Sequence, residues 1–64
     1  MAKYEIDLGV LLTIFEDNSF TVDADSEEEA IEQAKEKFRV WLENKYAYVD
    51  YEDATVDNIT KVED

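Results

Sequence analysis

Carboxylates are the most abundant chemically active groups in this 64-residue chain, which has 18 Asp and Glu, 6 Lys and Arg, and no His. Glu28, Glu32 and Glu36 recur every four residues, a spacing that brings β-carbons within about 5–6 Å on one helix face. Like charges at this spacing mildly destabilise a helix, so the row could serve to imitate the phosphates of nucleic acid. The other interpretation is an ordinary solvated face, because Lys35 and Arg39 lie close enough to pair with these acids.

The net charge of −12 indicates the class of partner. Duplex DNA carries about one negative charge per ~1.7 Å of axis, so twelve charges match roughly 20 Å of duplex. A compact chain of this length is about 28 Å across, so its charge density approaches that of DNA. We expect a basic partner and no direct contact with nucleic acid. The prediction is a protein that inhibits a nucleic-acid-binding protein by occupying its basic groove.

A second group of candidate contact residues lies near the C-terminus, where Tyr46, Tyr48 and Tyr51 interleave with Asp50 and Glu52. Tyrosine is a favoured interface anchor, and nearby acids add electrostatic steering towards a basic partner. These rings could instead close the end of a small core with their hydroxyls exposed. The predicted partner-binding residues are Glu28, Glu32, Glu36, Glu43, Tyr48, Asp50, Tyr51, Glu52 and Asp53.

The composition argues against catalysis. The chain has no His or Cys, one Gly and no Pro, which excludes Ser–His and Cys–His nucleophile pairs and phosphate-cradling loops. A general acid among the carboxylates would need a buried cleft, for which so small a domain has little room. Asp23, Asp25 and Glu28 offer oxygen ligands for Ca²⁺ or Mg²⁺, but no Gly follows to complete a calcium loop. We therefore predict no enzyme activity, no catalytic residues, no cofactor and no specific metal site.

The elements that must position these residues begin with a hairpin. Apolar residues alternate from Tyr4 to Ile14, which predicts a strand with one buried face. The polar run from Glu16 to Ser19 has the composition of a turn. Phe20 to Ala24 then alternates again and is the predicted return strand.

A capped helix and a final strand complete the predicted elements. Ser26, followed three residues later by Glu29, fits a capping box and begins a helix that should run from about Glu27 to Asn44. We expect a last strand within Ala54 to Val62, bulged because its apolar residues do not keep period two. A short strand at Tyr48–Tyr51 is an additional candidate. One arc of the helix is apolar and is expected to pack in the core, Trp41 included: Ala30, Ile31, Ala34, Phe38, Trp41 and Leu42.

The order β-β-α-β predicts one α+β domain over residues 1–64. We expect two layers, with a three-stranded, mainly antiparallel sheet in the order 2-1-3 and a single helix on one face. The other face stays open, and Leu11 and Phe15 point to it together with Thr13. An exposed apolar patch commonly marks an interface. The alternative function is therefore a structural or regulatory module that self-associates through this face as a homodimer, with the charge serving solubility.

Part of the chain resembles a known group of proteins. The segment from Phe20 to Ile31, preceded by Tyr4-Glu5-Ile6, resembles small proteins of phages and mobile elements such as the DpnD/PcfM-like group. Those proteins share a hairpin whose second strand ends in a helix start of the A-D-S-E-E-E-A type. The similarity covers roughly Tyr4 to Phe38, and the tyrosine-rich C-terminal segment departs from it. The resemblance implies a phage or mobile-element origin and no mechanism.

The predicted location is the cytoplasm, that of a host bacterium if the protein is phage-derived. Its first residues lack the charged and long apolar stretches of a signal peptide. The apolar run from Val10 to Phe15 is too short to span a bilayer, and anionic membranes repel an acidic protein. The chain therefore reads as a complete cytosolic protein that does not bind membranes.

Overall fold

A computed structural model describes residues 1–11, 15–46 and 54–63. The central strand β1 lies antiparallel to β2 on one side and to β3 on the other, which gives the sheet order β2-β1-β3. The predicted α+β fold with an open three-stranded sheet is thereby confirmed. The elements are β1 (Ala2–Leu11), β2 (Phe15–Ala24), α1 (Glu27–Lys45) and β3 (Thr55–Glu63).

The hairpin is longer than its sequence suggests, and the predicted turn at Glu16–Ser19 is wrong. β1 and β2 pair without interruption from Ala2↔Ala24 to Leu11↔Phe15, so Glu16–Ser19 are strand residues. Their polar composition is that of a turn, but pairing along the whole of β1 overrides this local preference. The prediction that the first strand extends through residues 12–14 lies outside the described residues.

Helix α1 begins and ends close to the predicted positions. The Ser26 hydroxyl accepts a hydrogen bond from the Glu29 N–H at 3.2 Å, and the Glu29 carboxylate accepts one from the Asp25 N–H at 3.4 Å. These bonds satisfy amides that would otherwise lack partners at the helix start. At the other end, the Tyr46 N–H donates to the Leu42 carbonyl at 2.8 Å, and the helix extends one residue beyond the predicted end.

The core lies between α1 and one face of the sheet. Phe38 is fully buried at its centre, with the Phe20 ring edge-on at 6.0 Å and the Trp41 ring stacked on it at 5.7 Å. Trp41 is only partly buried, so it lies at the border of the core and not inside it as predicted. The buried apolar residues are Ala2, Tyr4, Ile6, Leu8, Val10, Val22, Ala24, Ala30, Ala34, Phe38, Leu42 and Ala54.

Strand β3 is bulged, as predicted. Its register against β1 shifts at two places, one of them between the pairs Asp7↔Asn58 and Leu8↔Val56. Asp57 is the extra residue at this bulge. The shifts let Val56 and Ile59 both pack against the core although they are three residues apart.

None of the helices in the described ranges is long and apolar enough to cross a membrane.

Replacing the central core ring should unfold the protein. A Phe→Ala change in a core costs about 3–5 kcal/mol, and a core of this size supplies only about 3–5 kcal/mol in total. We expect Phe38→Ala to be largely unfolded by far-ultraviolet circular dichroism. Val40, on the same helix but 45% exposed, provides the control, because Val40→Ala should change stability by less than about 0.5 kcal/mol. A Phe38→Ala protein with the wild-type urea midpoint would contradict this assignment of the core.

Candidate partner-binding surfaces

The outer surface of α1 carries the predicted row of exposed glutamates, but half of the row is ion-paired. Glu28, Glu32, Glu36 and Glu43 are all exposed. Arg39 donates to both oxygens of the Glu43 carboxylate, at 2.8 and 2.9 Å, and also forms an ion pair with Glu36. Within the described residues, Glu28 and Glu32 form no ion pair. The first half of the row is therefore uncompensated, while Arg39 neutralises much of the second half.

The pKa shifts on this surface follow from the same contacts. Hydrogen bonding from Arg39 lowers the pKa of Glu36, and the carboxylates of Glu36 and Glu43 raise the pKa of Arg39. Glu36 and Arg39 consequently stay ionised at neutral pH. Exposed pairs of this kind contribute little to stability, and their main effect here is to reduce the negative potential of the helix surface.

The other predicted partner-binding residues, Tyr48, Asp50, Tyr51, Glu52 and Asp53, lie outside the described residues, as does the candidate short strand at Tyr48–Tyr51. Their role in binding stays a prediction.

A buried carboxylate joins β2 to the end of α1. Glu16 is only 7% exposed and accepts hydrogen bonds from Lys45 Nζ at 2.9 Å and from the Tyr46 hydroxyl at 2.5 Å. The Lys45 ammonium also lies 5.0 Å from the centre of the Trp41 ring. A buried charge needs such partners to avoid a large desolvation penalty. Tyr46 thus packs against the end of the core, as one of the two interpretations of the tyrosines predicts, but its hydroxyl donates to Glu16 and is not exposed as that interpretation expects.

The electrostatics of this cluster keep the Glu16 carboxylate ionised. Hydrogen bonds from Tyr46 and Lys45 lower the pKa of Glu16, and the Glu16 carboxylate raises the pKa of both partners. A carboxylate held ionised in this way cannot act as a general acid at neutral pH. Sequence reasoning missed the cluster because it assigned Glu16 to a turn. The available signal was that Glu16 continues the alternation of Phe20, Val22 and Ala24 towards the helix.

Most side chains on the open face of the sheet are acidic or carry a hydroxyl group. Leu11 and Phe15 are 74% and 57% exposed, as predicted, but they are cross-strand neighbours at one end of the face. The apolar patch is therefore confined to that end. Alternation along β1 and β2 places the following residues on the rest of this face: Lys3, Glu5, Asp7, Gly9, Asp17, Ser19, Thr21 and Asp23.

A shallow depression of about 290 Å³ lies between the strands and is lined partly by Asp7, Asp17, Ser19 and Asp57. The Ser19 hydroxyl donates a hydrogen bond to the Asp7 carboxylate. In the described part of the chain, no three acidic side chains are grouped so that they could hold a metal ion. The depression is therefore a surface lined by separate carboxylates.

Comparisons with protein families, with curated proteins and with solved structures find no match to this chain. The resemblance to the DpnD/PcfM-like group stays a prediction.

The contribution of Glu16 to stability should depend on pH. Because its pKa is lowered in the folded state, its stabilising effect is present at neutral pH and is lost as the pH falls through the folded-state pKa. We expect Glu16→Gln to lower the urea midpoint at pH 7, and we expect the difference from wild type to shrink at about pH 3.

Glu32→Gln is the matched control for this measurement, since it removes the same charge from an exposed side chain. Removing one negative charge from a strongly acidic protein should leave its stability unchanged or slightly raised. Equal urea midpoints for the two variants at pH 7 would show that the Glu16 cluster does not stabilise the fold.

Proposed function

We propose that this protein is non-enzymatic and that it inhibits a nucleic-acid-binding protein by occupying the basic groove of that protein in place of nucleic acid. The observation that carries the proposal is the density of negative charge along an elongated body. The molecule measures 37 × 17 × 15 Å, so its twelve net negative charges amount to about one per 3 Å of length. One strand of duplex DNA carries one charge per ~3.4 Å of helix axis.

The elongated shape changes which form of nucleic acid the molecule is expected to resemble. The molecule is longer than a compact sphere of the same chain length, so its charge per length is about half that of a duplex. This charge per length is close to that of one strand of duplex DNA. A groove that accepts one strand, or that contacts one strand of a duplex, is the type of target that fits this density.

The distribution of carboxylates supports the same function. Exposed acids lie on the outer surface of the helix and on the open face of the sheet, so that a basic groove would meet negative charge on either side. Complementary charge of this kind accelerates association and selects basic partners. Neither contact requires a catalytic group on this protein.

The alternative function is self-association through Leu11 and Phe15. The exposure of both side chains favours it, whereas the acids that surround this patch oppose the approach of a second copy. Sedimentation velocity separates the two functions. A dimer that persists at all salt concentrations and is dissociated by Phe15→Glu would support self-association, and a monomer at high protein concentration would count against it.

Displacement from DNA tests the proposed function directly. Proteins of a bacterial lysate are bound to a column of immobilised duplex and single-stranded DNA at about 150 mM salt, where surface charge is partly screened. We expect the wild-type protein to elute a small number of DNA-binding proteins. The eluted proteins are then purified and titrated with labelled DNA, and the apparent Kd for DNA should rise linearly with the concentration of the acidic protein.

Polyglutamate of equal net charge is the control, because it supplies the charge without the fold. If polyglutamate elutes the same proteins at the same concentration, the fold adds nothing and the proposal fails. Failure of the wild-type protein to elute any DNA-binding protein would also overturn it.

A further inference from the structure

We infer that the open face of the sheet, and not the helix, is the surface that docks the basic partner, and that an arginine side chain of the partner enters the depression beside Asp7, Asp17 and Asp57. This inference rests on the proposed function, since it assumes that the partner is basic. It assigns the contact to a different surface from the row of glutamates that the sequence first suggests.

The two acidic surfaces differ in how far their charges are compensated. On the helix, Arg39 pairs with Glu36 and with Glu43. Within the described residues, none of the ion pairs involves Asp7, Asp17 or Asp57. An approaching cation therefore meets a stronger negative potential at the depression than at the second half of the helix row.

The depression is built by all three strands. Asp7 comes from β1 and Asp17 from β2, while the bulge of β3 adds Asp57 to the same side of the sheet. The hydrogen bond from Ser19 orients the Asp7 carboxylate. Strand pairing holds the backbone at Asp7 and Asp17, and the bulge places Asp57 beside them, so the surface is organised before the partner binds, which reduces the entropy lost on binding.

Gly9 allows a carboxylate and an aromatic ring to meet at this place. A β-carbon on Gly9 would lie 2.6 Å from Phe15 Cζ and 2.9 Å from Asp57 Oδ2. Both side chains therefore occupy the space above Gly9 that any other residue would fill. The backbone of Gly9 does not have a positive φ, so the position needs Gly for space and not for conformation.

This combination favours arginine over lysine. A guanidinium group is planar, carries five N–H donors and can bond two carboxylate oxygens at once. It also stacks on aromatic faces and is more weakly hydrated than an ammonium group. The separate carboxylates of the depression and the exposed Phe15 ring match these properties. A lysine ammonium would satisfy the charge but not the planar contacts.

The test measures binding of a labelled deca-arginine peptide, and of deca-lysine, by fluorescence anisotropy at about 150 mM salt. The sheet variant is Asp7→Asn/Asp17→Asn/Asp57→Asn. The helix variant, Glu28→Gln/Glu32→Gln/Glu43→Gln, loses the same number of charges and serves as the control. We expect the sheet variant to bind deca-arginine about tenfold more weakly than wild type and the helix variant less than about threefold more weakly. Wild type should prefer deca-arginine to deca-lysine by about threefold or more.

Gly9→Ala tests the geometry without changing any charge. The new methyl group must displace the ends of the Phe15 and Asp57 side chains, which are mobile enough for the fold to survive. We expect about fivefold weaker binding of deca-arginine and a urea midpoint no lower than that of wild type. Urea unfolding of every variant verifies that each one is folded.

Each outcome either supports or overturns the inference. Equal losses in the sheet and helix variants, or wild-type binding by Gly9→Ala, would show that binding follows net charge alone. A larger loss in the helix variant would assign the contact to the helix, and equal affinity for the two peptides would remove the preference for arginine. A wild-type dimer that the sheet variant strengthens would identify a second copy as the occupant of this face.

The same variants on the DNA column separate this inference from the proposed function. If the sheet variant still displaces DNA-binding proteins as well as wild type does, the inference fails and the proposed function holds. If wild type itself displaces nothing, the proposed function fails.

Discussion

The fold depends on the central strand β1, of which only one face is buried. β1 is paired on both sides, so its backbone hydrogen bonds are satisfied within the sheet. One helix can cover only one face of a three-stranded sheet, and Tyr4, Ile6 and Leu8 are buried on that face. The residues that alternate with them point to the opposite face and must be compatible with exposure to water. This constraint leaves one complete face of the sheet available for contact with a partner.

Charge is the second constraint on so small a protein. Twelve net negative charges oppose compaction, and two of the described cations, Arg39 and Lys45, pair with carboxylates and reduce this repulsion. Lys45 compensates a carboxylate that the core buries, and Arg39 compensates two on the helix. Within the described residues, Asp7, Asp17 and Asp57 on the open face form no ion pair, and neither do Glu28 and Glu32 in the first half of the helix row. Negative charge is thus reduced at the buried Glu16 and in the second half of the helix row.

These two constraints together support the proposal that the sheet face docks a basic partner. The strands hold the carboxylates at fixed positions, whereas the glutamates of the helix extend on long side chains that lose more rotamer entropy when they bind. The exposed ring of Phe15 lies beside Asp57 above Gly9 and adds an aromatic contact next to a carboxylate. Rigid acids and an aromatic ring are features of surfaces that recognise guanidinium groups.

Period-two alternation and a capping box were sufficient to predict the strands and the helix, because these depend on local pattern, and the handedness of the crossover then predicted the strand order. The acidic composition predicts a basic partner, which stays a prediction. The same information placed Glu16 in a turn, since a polar run has the same composition in a turn and at the end of a long hairpin. Only pairing with the full length of β1 turned that residue inward to meet Lys45 and Tyr46. The bulge that adds Asp57 to the depression, and the space above Gly9, likewise depend on register between strands distant in sequence. The sequence by itself determined the type and order of the elements and the charge, whereas the tertiary structure decided where β2 begins and which carboxylates are buried, paired or exposed, because non-local pairing sets the side to which each side chain points.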